Sequence, residues 1–418
     1  MFGQENTTTN KLSVRAKKIL IFLGILIFAH SIFVLTLCPD YISCNTKTAK
    51  ILLRDDFDTR LFLVYAQKMG ENDLYNNTAT DPPPYPEFAY TYFLLVAKAS
   101  NYNEVVFRII HSLVMALCYV GLIYVTLRLL SIFKRSEFWC FSYALPAFLY
   151  FTPTRFDVLL AFLVSLSLLC LFKKNIYLSF LILTTAALFK WYPFLLFPFF
   201  LIYALKTMNK KRVVSALILC IIIFLSIQVL TVTAGNDLSI VNTYLWQQHR
   251  WISIESLYYF IGMIFNLSIG NNLSIDYFAS NSISVLYFLC QIITIGIGSW
   301  LFSLMPAKKN ILVSWCVLAI LFFLLFSEIY STGWLIWFVP LLILVLPNKY
   351  SWSILSYDIL SYLCFPLSVF FINNKNFPIE TMILLASVRT IILIMFIFII
   401  LRTLQGEQKL LNPLKNIN

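Results

Sequence analysis

Long apolar runs separated by short polar breaks fill most of this chain. Runs of about 14–28 residues predict membrane helices at roughly 19–38, 105–131, 138–151, 157–172, 176–189, 191–205, 213–233, 282–305, 311–328, 334–347, 350–372 and 380–402, twelve spans in all. The first follows Lys11, Arg15, Lys17 and Lys18 and could be a signal peptide, but its length and the lack of a convincing small-residue cleavage site favour a retained helix. The breaks alternate in character. Lys134/Arg135, Lys173/Lys174, Lys206/Lys210/Lys211/Arg212, Lys308/Lys309, Lys349 and the tail cations Arg402, Lys409 and Lys415 all fall on one side, whereas the short breaks of the other side carry only Arg155, Lys190, Arg250 and Lys375 as isolated cations. The positive-inside rule then places both termini in the cytoplasm.

Several spans are short or hold Pro146, Pro193, Pro198 or Pro340. Such helices are tolerated in lipid where they abut protein or line a water-filled cavity, so the outer half of the bundle is expected to open into one. The apolar stretch 257–269 is too short to count as a span and reads as re-entrant or surface-lying. Two outer segments are long, 39–104 and 234–281, and the chain ends in a cytoplasmic tail, 403–418. The first outer segment holds nine of the nineteen acidic residues and is expected to be folded. Within it, Thr59 to Met69 reads as an amphipathic helix on the outer membrane face, Asp81 to Pro86 as rigid and extended, and Phe88 to Ala97 as too short to span. No internal repeat is visible, and residues 1–418 read as one membrane-embedded domain.

Composition fixes the class. Of 418 residues, 60% are hydrophobic and 12% charged, and the mean hydropathy is +0.82. A soluble protein carries about 25% charged residues, so lipid must solvate most side chains here, and the fold class is an all-α polytopic membrane bundle. With its cations serving as topology signals, the +12 charge does not point to nucleic acid. Of nine cysteines, only Cys38 and Cys44, flanking the first outer loop, are placed so that they could pair, and the pairing stays open.

No P-loop, G-x-G-x-x-G, H-E-x-x-H or C-x-x-C occurs, and three histidines cannot build a histidine metal cluster. Chemistry therefore falls to carboxylates and cations. Arg54-Asp55-Asp56-Phe57-Asp58-Thr59-Arg60 offers a partly desolvated carboxylate as general base, or simply a charged turn capping a helix. Arg155-Phe156-Asp157 and Lys190-Trp191-Tyr192-Pro193 put cations at outer helix ends, suited to a phosphate; snorkelling and a local Arg155–Asp157 pair are the plainer alternatives. His249-Arg250-Trp251-Ile252-Ser253-Ile254-Glu255-Ser256 adds a third such set, and Asp358 with Arg389 reads as a structural ion pair between the last two spans. A carboxylate cluster can hold Mg²⁺ or Mn²⁺, but too few ligands converge to predict a metal.

These patches, in order, resemble the polyprenyl-phosphate-dependent glycosyltransferases of the GT-C superfamily, most closely family 87, and more distantly the GPI mannosyltransferases. Asp58 with Tyr65-Ala66, Gly70, Leu74-Tyr75 and Tyr85-Pro86 is similar to the family's first-loop pattern; Arg155-Phe156-Asp157-Val158-Leu159 to R-[YF]-D-L-L; Lys190-Trp191-Tyr192-Pro193 to K-x-Y-P; Arg250 to Ser256 to R-x-L-Q-I-E-S; and Ser331 to Pro340 to S-P-Q-Y-L-I-W-L-L-P. Glu87 stands where the family has a second Pro, and Thr332-Gly333-Trp334 where it has P-Q-Y.

The resemblance implies transfer of a hexose, usually mannose, from a polyprenyl-phosphate donor to a lipid-linked or glycan acceptor, with no nucleotide sugar and no cofactor. It implies Asp58 as base with Asp56 beside it, and Arg155, Lys190, His249 and Arg250 on the donor phosphate. Tyr85, Glu87, Glu255 and Trp334 would meet the sugar or acceptor. The site would face the extracytoplasmic side of a plasma membrane, or the lumen of the endoplasmic reticulum. A lipid or solute transporter or flippase is the main rival, and a scaffold or receptor the third reading.

Overall fold

The computed structural model describes residues 12–44, 49–54, 56–70, 84–233, 253, 255–264, 277–327, 329–373 and 379–409, and they form helices with no strand among them. Five stretches are long and apolar enough to cross a membrane: Val14–Leu37, Glu104–Ile132, Lys210–Thr231, Asn348–Ile372 and Glu380–Glu407. Six shorter apolar helical stretches join them: Asp157–Phe172, Ile176–Phe189, Tyr192–Thr207, Leu289–Leu304, Lys309–Leu325 and Thr332–Val345. Large apolar side chains stand outward on the long helices, among them Ile21, Ile25, Leu230, Leu384, Ile391 and Phe398, each more than half exposed. That is the pattern of a surface solvated by lipid.

The helices that matter below are α1 (Val14–Leu37), α2 (Phe57–Gly70), α3 (Glu87–Ala99), α4 (Glu104–Ile132), α5 (Pro146–Phe151), α6 (Asp157–Phe172), α7 (Ile176–Phe189), α8 (Phe197–Thr207), α9 (Lys210–Thr233), α10 (Leu257–Ile264), α11 (Tyr277–Leu304), α12 (Lys309–Leu325), α13 (Leu335–Val345), α14 (Ser351–Tyr362), α15 (Ser368–Asn373) and α16 (Ile379–Lys409). α6 packs between α4 and α7 and also meets α13, while α12 and α13 form the most thoroughly buried pair. α2 and α3 make a hairpin against α4 and α7. The apolar positions of α2 explain it: Phe62, Leu63, Tyr65 and Ala66 are buried against that support while Asp58, Arg60 and Lys68 lie on the open side.

Polar contacts sort the breaks into two ends. At one, Arg135 donates to the Leu346 carbonyl at 2.5 Å, Lys206 to those of Ser303 and Met305 at 2.6 Å, and Lys308 pairs with Glu407 at 2.7 Å. At the other, the Tyr41 amide donates to Glu104 at 2.9 Å, Tyr150 to the Ile51 carbonyl at 2.8 Å, and Asp58 pairs with Arg155 at 2.8 Å. The lysine-rich breaks thus meet one another, and the isolated cations Arg155 and Lys190 sit among the loops of the opposite end.

Residues 138–151, expected as one helical span, are a 3₁₀ stretch, Glu137–Ala144, followed after Leu145 by α5. This corrects the expectation of one regular helix over these residues. A 3₁₀ helix rises about 2.0 Å per residue against 1.5 Å for an α-helix, so the tighter winding makes this segment longer than regular helix would be. Pro146 lies at the first position of α5, where its missing N–H costs nothing.

The amides of Ala147 and Phe148 at this break donate to Asp358 at 2.9 and 3.1 Å. Asp358 therefore does not pair with Arg389, as expected from sequence; it caps a helix start inside the bundle, where exposed amides would otherwise have no water. Arg389 pairs instead with Glu255 at 3.2 Å. Asp358→Ala strands two buried amides, and thermal unfolding in detergent should show a loss of about 2–4 kcal/mol. A variant as stable as the native chain would remove this role.

The 257–269 stretch contains α10, eight residues packed on α16, too short to cross. Cys38 and Cys44 are disulfide-bonded, with Cα atoms 5.2 Å apart.

Candidate functional site

Three chain breaks at the end opposite the lysines build one cavity of about 180 Å³. Asp58 comes from the first turn of α2, Arg155 and Asp157 from the start of α6, and Lys190 from the C-cap of α7. Tyr85, Ser331, Trp334 and Trp337 complete much of the wall. Drug-sized ligands occupy roughly 300–1,000 Å³, so the enclosed space suits a group of monosaccharide size.

Two ion pairs organise the polar side of the cavity. Arg155 Nε lies 2.8 Å from Asp58 Oδ2, and Arg155 Nη1 donates to Ser331 Oγ at 2.5 Å. Lys190 Nζ lies 2.8 Å from Asp157 Oδ1, which also accepts from the Trp337 indole N–H at 2.5 Å. The Lys190 ammonium is ringed by aromatic faces: it stands 4.7 Å from the Trp337 ring centre, 5.3 Å from Phe156, 5.8 Å from Trp334 and 5.9 Å from Tyr85. Burial pushes this ammonium below the usual lysine range, and the neighbouring Asp157 carboxylate opposes the shift. The rings fix it by cation–π attraction, which strengthens once water is excluded.

An aromatic stack forms the apolar wall. Tyr192 lies on Trp337 with ring centres 4.4 Å apart, and Trp337 on Trp334 at 4.5 Å. The spacing of Trp334 and Trp337, three residues apart at a helix start, puts both indoles on one face. Tyr192 Oη and Trp191 Nε1, both on residues that line the cavity, are buried with no hydrogen-bond partner among the described residues.

Asp56, the second expected catalytic carboxylate, occupies a different place. It is fully buried, accepts from Arg54 and Thr59 at 2.7 Å each, and is paired with Arg108 of α4. Burial pushes the Arg54 guanidinium down to about 9. Arg54 also donates to Ser112 at 2.9 Å, and Ser112 to the Pro153 carbonyl at 3.1 Å, two residues before Arg155. The cluster thus anchors the start of α2 to α4 and to the Arg155 loop, holding Asp58 and Arg155 in register without lining the cavity.

Tyr85 and Trp334 line the cavity as expected; Glu87 and Glu255 are not among its lining residues. Glu87 accepts from Gln228 at 3.0 Å and Thr231 at 3.1 Å, tying the start of α3 to α9. Glu255 faces Arg389, whose guanidinium lies 4.3 Å from the Tyr330 ring centre, so this pair supports the 329–331 wall from behind. His249 and Arg250 lie outside the described residues. Asp157, Ser331, Trp337 and Tyr192 fall within the sequence motifs above but carry no site role there. Asp157 had a signal, a carboxylate two residues from Arg155, but that proximity suggested a local pair, whereas the chain delivers it to Lys190, 33 residues on.

Among the described residues no three His, Cys, Asp or Glu side chains gather as metal ligands. The chain matches no protein-family model and no curated protein.

Proposed function

We propose that this chain is a polytopic glycosyltransferase of GT-C type, moving a hexose, most simply mannose, from a polyprenyl-phosphate donor to a lipid-linked or glycan acceptor. One observation carries the reading: a carboxylate base candidate and two cations, from three distant chain segments, surround one aromatic-walled cavity of sugar size. In this reading the chain crosses the bilayer twelve times, once as the broken 137–151 element. Both termini are cytoplasmic and the cavity faces the extracytoplasmic or lumenal side. The membrane is a plasma membrane or that of the endoplasmic reticulum.

Asp58 takes the proton of an acceptor hydroxyl while that oxygen forms a bond to the anomeric carbon. The bond from that carbon to the phosphate oxygen breaks, its electron pair leaves with the polyprenyl phosphate, and configuration inverts. Arg155 and Lys190 meet the negative charge that grows on the departing phosphate. The sugar ring packs on the Trp334 and Trp337 stack, whose faces match its C–H groups. This reading calls for no nucleotide sugar and predicts no metal.

The test is purified protein with radiolabelled polyprenyl-phosphate-mannose and a panel of lipid acceptors. Label appearing in an acceptor supports the reading. Label carried across a vesicle membrane with the donor bond intact supports a transporter or flippase instead.

Lys190 gives a pH signature. A clamp must be charged, and burial lowers the pH at which this ammonium loses its proton, so kcat/KM should fall on the alkaline side before an ordinary lysine titrates. Lys190→Arg should move that fall to higher pH, because guanidinium stays protonated. An unchanged alkaline limb in Lys190→Arg would separate Lys190 from the phosphate.

A further inference from the structure

Among the described residues the four charges lining the cavity cancel: Asp58 and Asp157 against Arg155 and Lys190. A phosphate entering there meets described cations that already hold carboxylates, and to take one of them fully it must displace its carboxylate. Exposure decides which. The Asp157 side chain is 4% exposed and holds two donors, Lys190 and Trp337; releasing it would strand a desolvated charge. The Asp58 side chain is 28% exposed, in the first turn of α2, where water can take over its solvation.

Arg155 is the fixed member of its pair. Its guanidinium donates to Ser331, lies 4.7 Å from the Phe151 ring centre, and fills the space beside Gly333. A Cβ at residue 333 would fall 2.7 Å from Arg155 Nη1, closer than real Cβ contacts come. Glycine at this position therefore permits the seat that Arg155 occupies.

We propose that Arg155 is a stationary anion seat, held by Asp58 before the donor arrives and by the donor's phosphate afterwards, so that donor binding itself releases the base. This rests on the glycosyl-transfer reading and adds an order to it: donor first, acceptor second. A base paired until the donor is in place cannot activate an acceptor hydroxyl prematurely. Ser331 and Gly333 are positioning residues, acting through Arg155.

Carboxylate labelling tests the exchange. The full-length protein in detergent is treated with a water-soluble carbodiimide and a small amine, and the tagged residues are located by peptide mass spectrometry. Polyprenyl phosphate should raise Asp58 labelling about fivefold over the level with uncharged polyprenol, the factor expected for release of a partly exposed ion pair. Asp157 should stay constant in both arms. Comparing the two lipids cancels any shielding by the chain. Gly333→Ala, which pushes the guanidinium off its seat, should raise Asp58 labelling with no lipid present.

Co-elution of tritiated polyprenyl phosphate separates the failures. Lipid that binds without changing the Asp58 ratio overturns the seat and leaves glycosyl transfer standing. Lipid that does not bind overturns both.

Discussion

Asp58→Asn should lower sugar transfer by about 10²–10⁴-fold, the contribution of a positioned general base. The substitution keeps shape and leaves an oxygen to accept from Arg155, so the cavity should survive. Unfolding temperature should barely move, because the Asp58–Arg155 pair is partly exposed at 28% and 19%, and such pairs contribute about 1 kcal/mol or less. Donor affinity should hold or rise, since the phosphate no longer competes with a charged carboxylate for Arg155. Single-turnover transfer beside equilibrium donor binding measures both quantities. Turnover within about threefold of the native chain is far outside the general-base range and would remove Asp58 from the proposed chemistry.

Asp56→Ala should produce the opposite profile, with stability lost first. The carboxylate sits between Arg54 and Arg108, all three fully buried, and its removal takes from both guanidinium groups the carboxylate they share. Breaking a buried ionic group in this way costs about 3–5 kcal/mol. Thermal unfolding in detergent should therefore shift far more than in Asp58→Asn, and activity should fall only in proportion to the folded fraction. Adding Arg108→Met should return part of the loss, because it removes a buried charge that has lost the Asp56 carboxylate. A stable Asp56→Ala protein with abolished transfer would place Asp56 in the reaction after all. The two aspartates lie two residues apart, both catalytic candidates from sequence with Asp58 the better fit; one faces a cavity and the other closes an interior knot.

The pattern of apolar runs and charged breaks was enough to specify an all-helical, lipid-solvated chain, because the bilayer imposes the same length and the same backbone satisfaction on every crossing. It also pointed to the charged breaks that meet at the cavity, since an isolated cation at a membrane helix end needs a reason to be there. Which partner each charge takes was beyond it. Asp358 serves the amides freed at Pro146, Arg389 turns to Glu255, and Asp157 bypasses Arg155 for Lys190; each choice spans 33 or more positions of chain.

Sequence by itself determined where the chain meets lipid and where it cannot, for local hydropathy governs insertion and needs no knowledge of the neighbours. Tertiary structure alone decided that Asp58, Arg155, Lys190 and the Trp334–Trp337 stack share one cavity while Asp56, Glu87 and Glu255 hold its frame. Charge pairing and ring stacking fall off within a few ångströms, so they depend on distances that only the packed helices set.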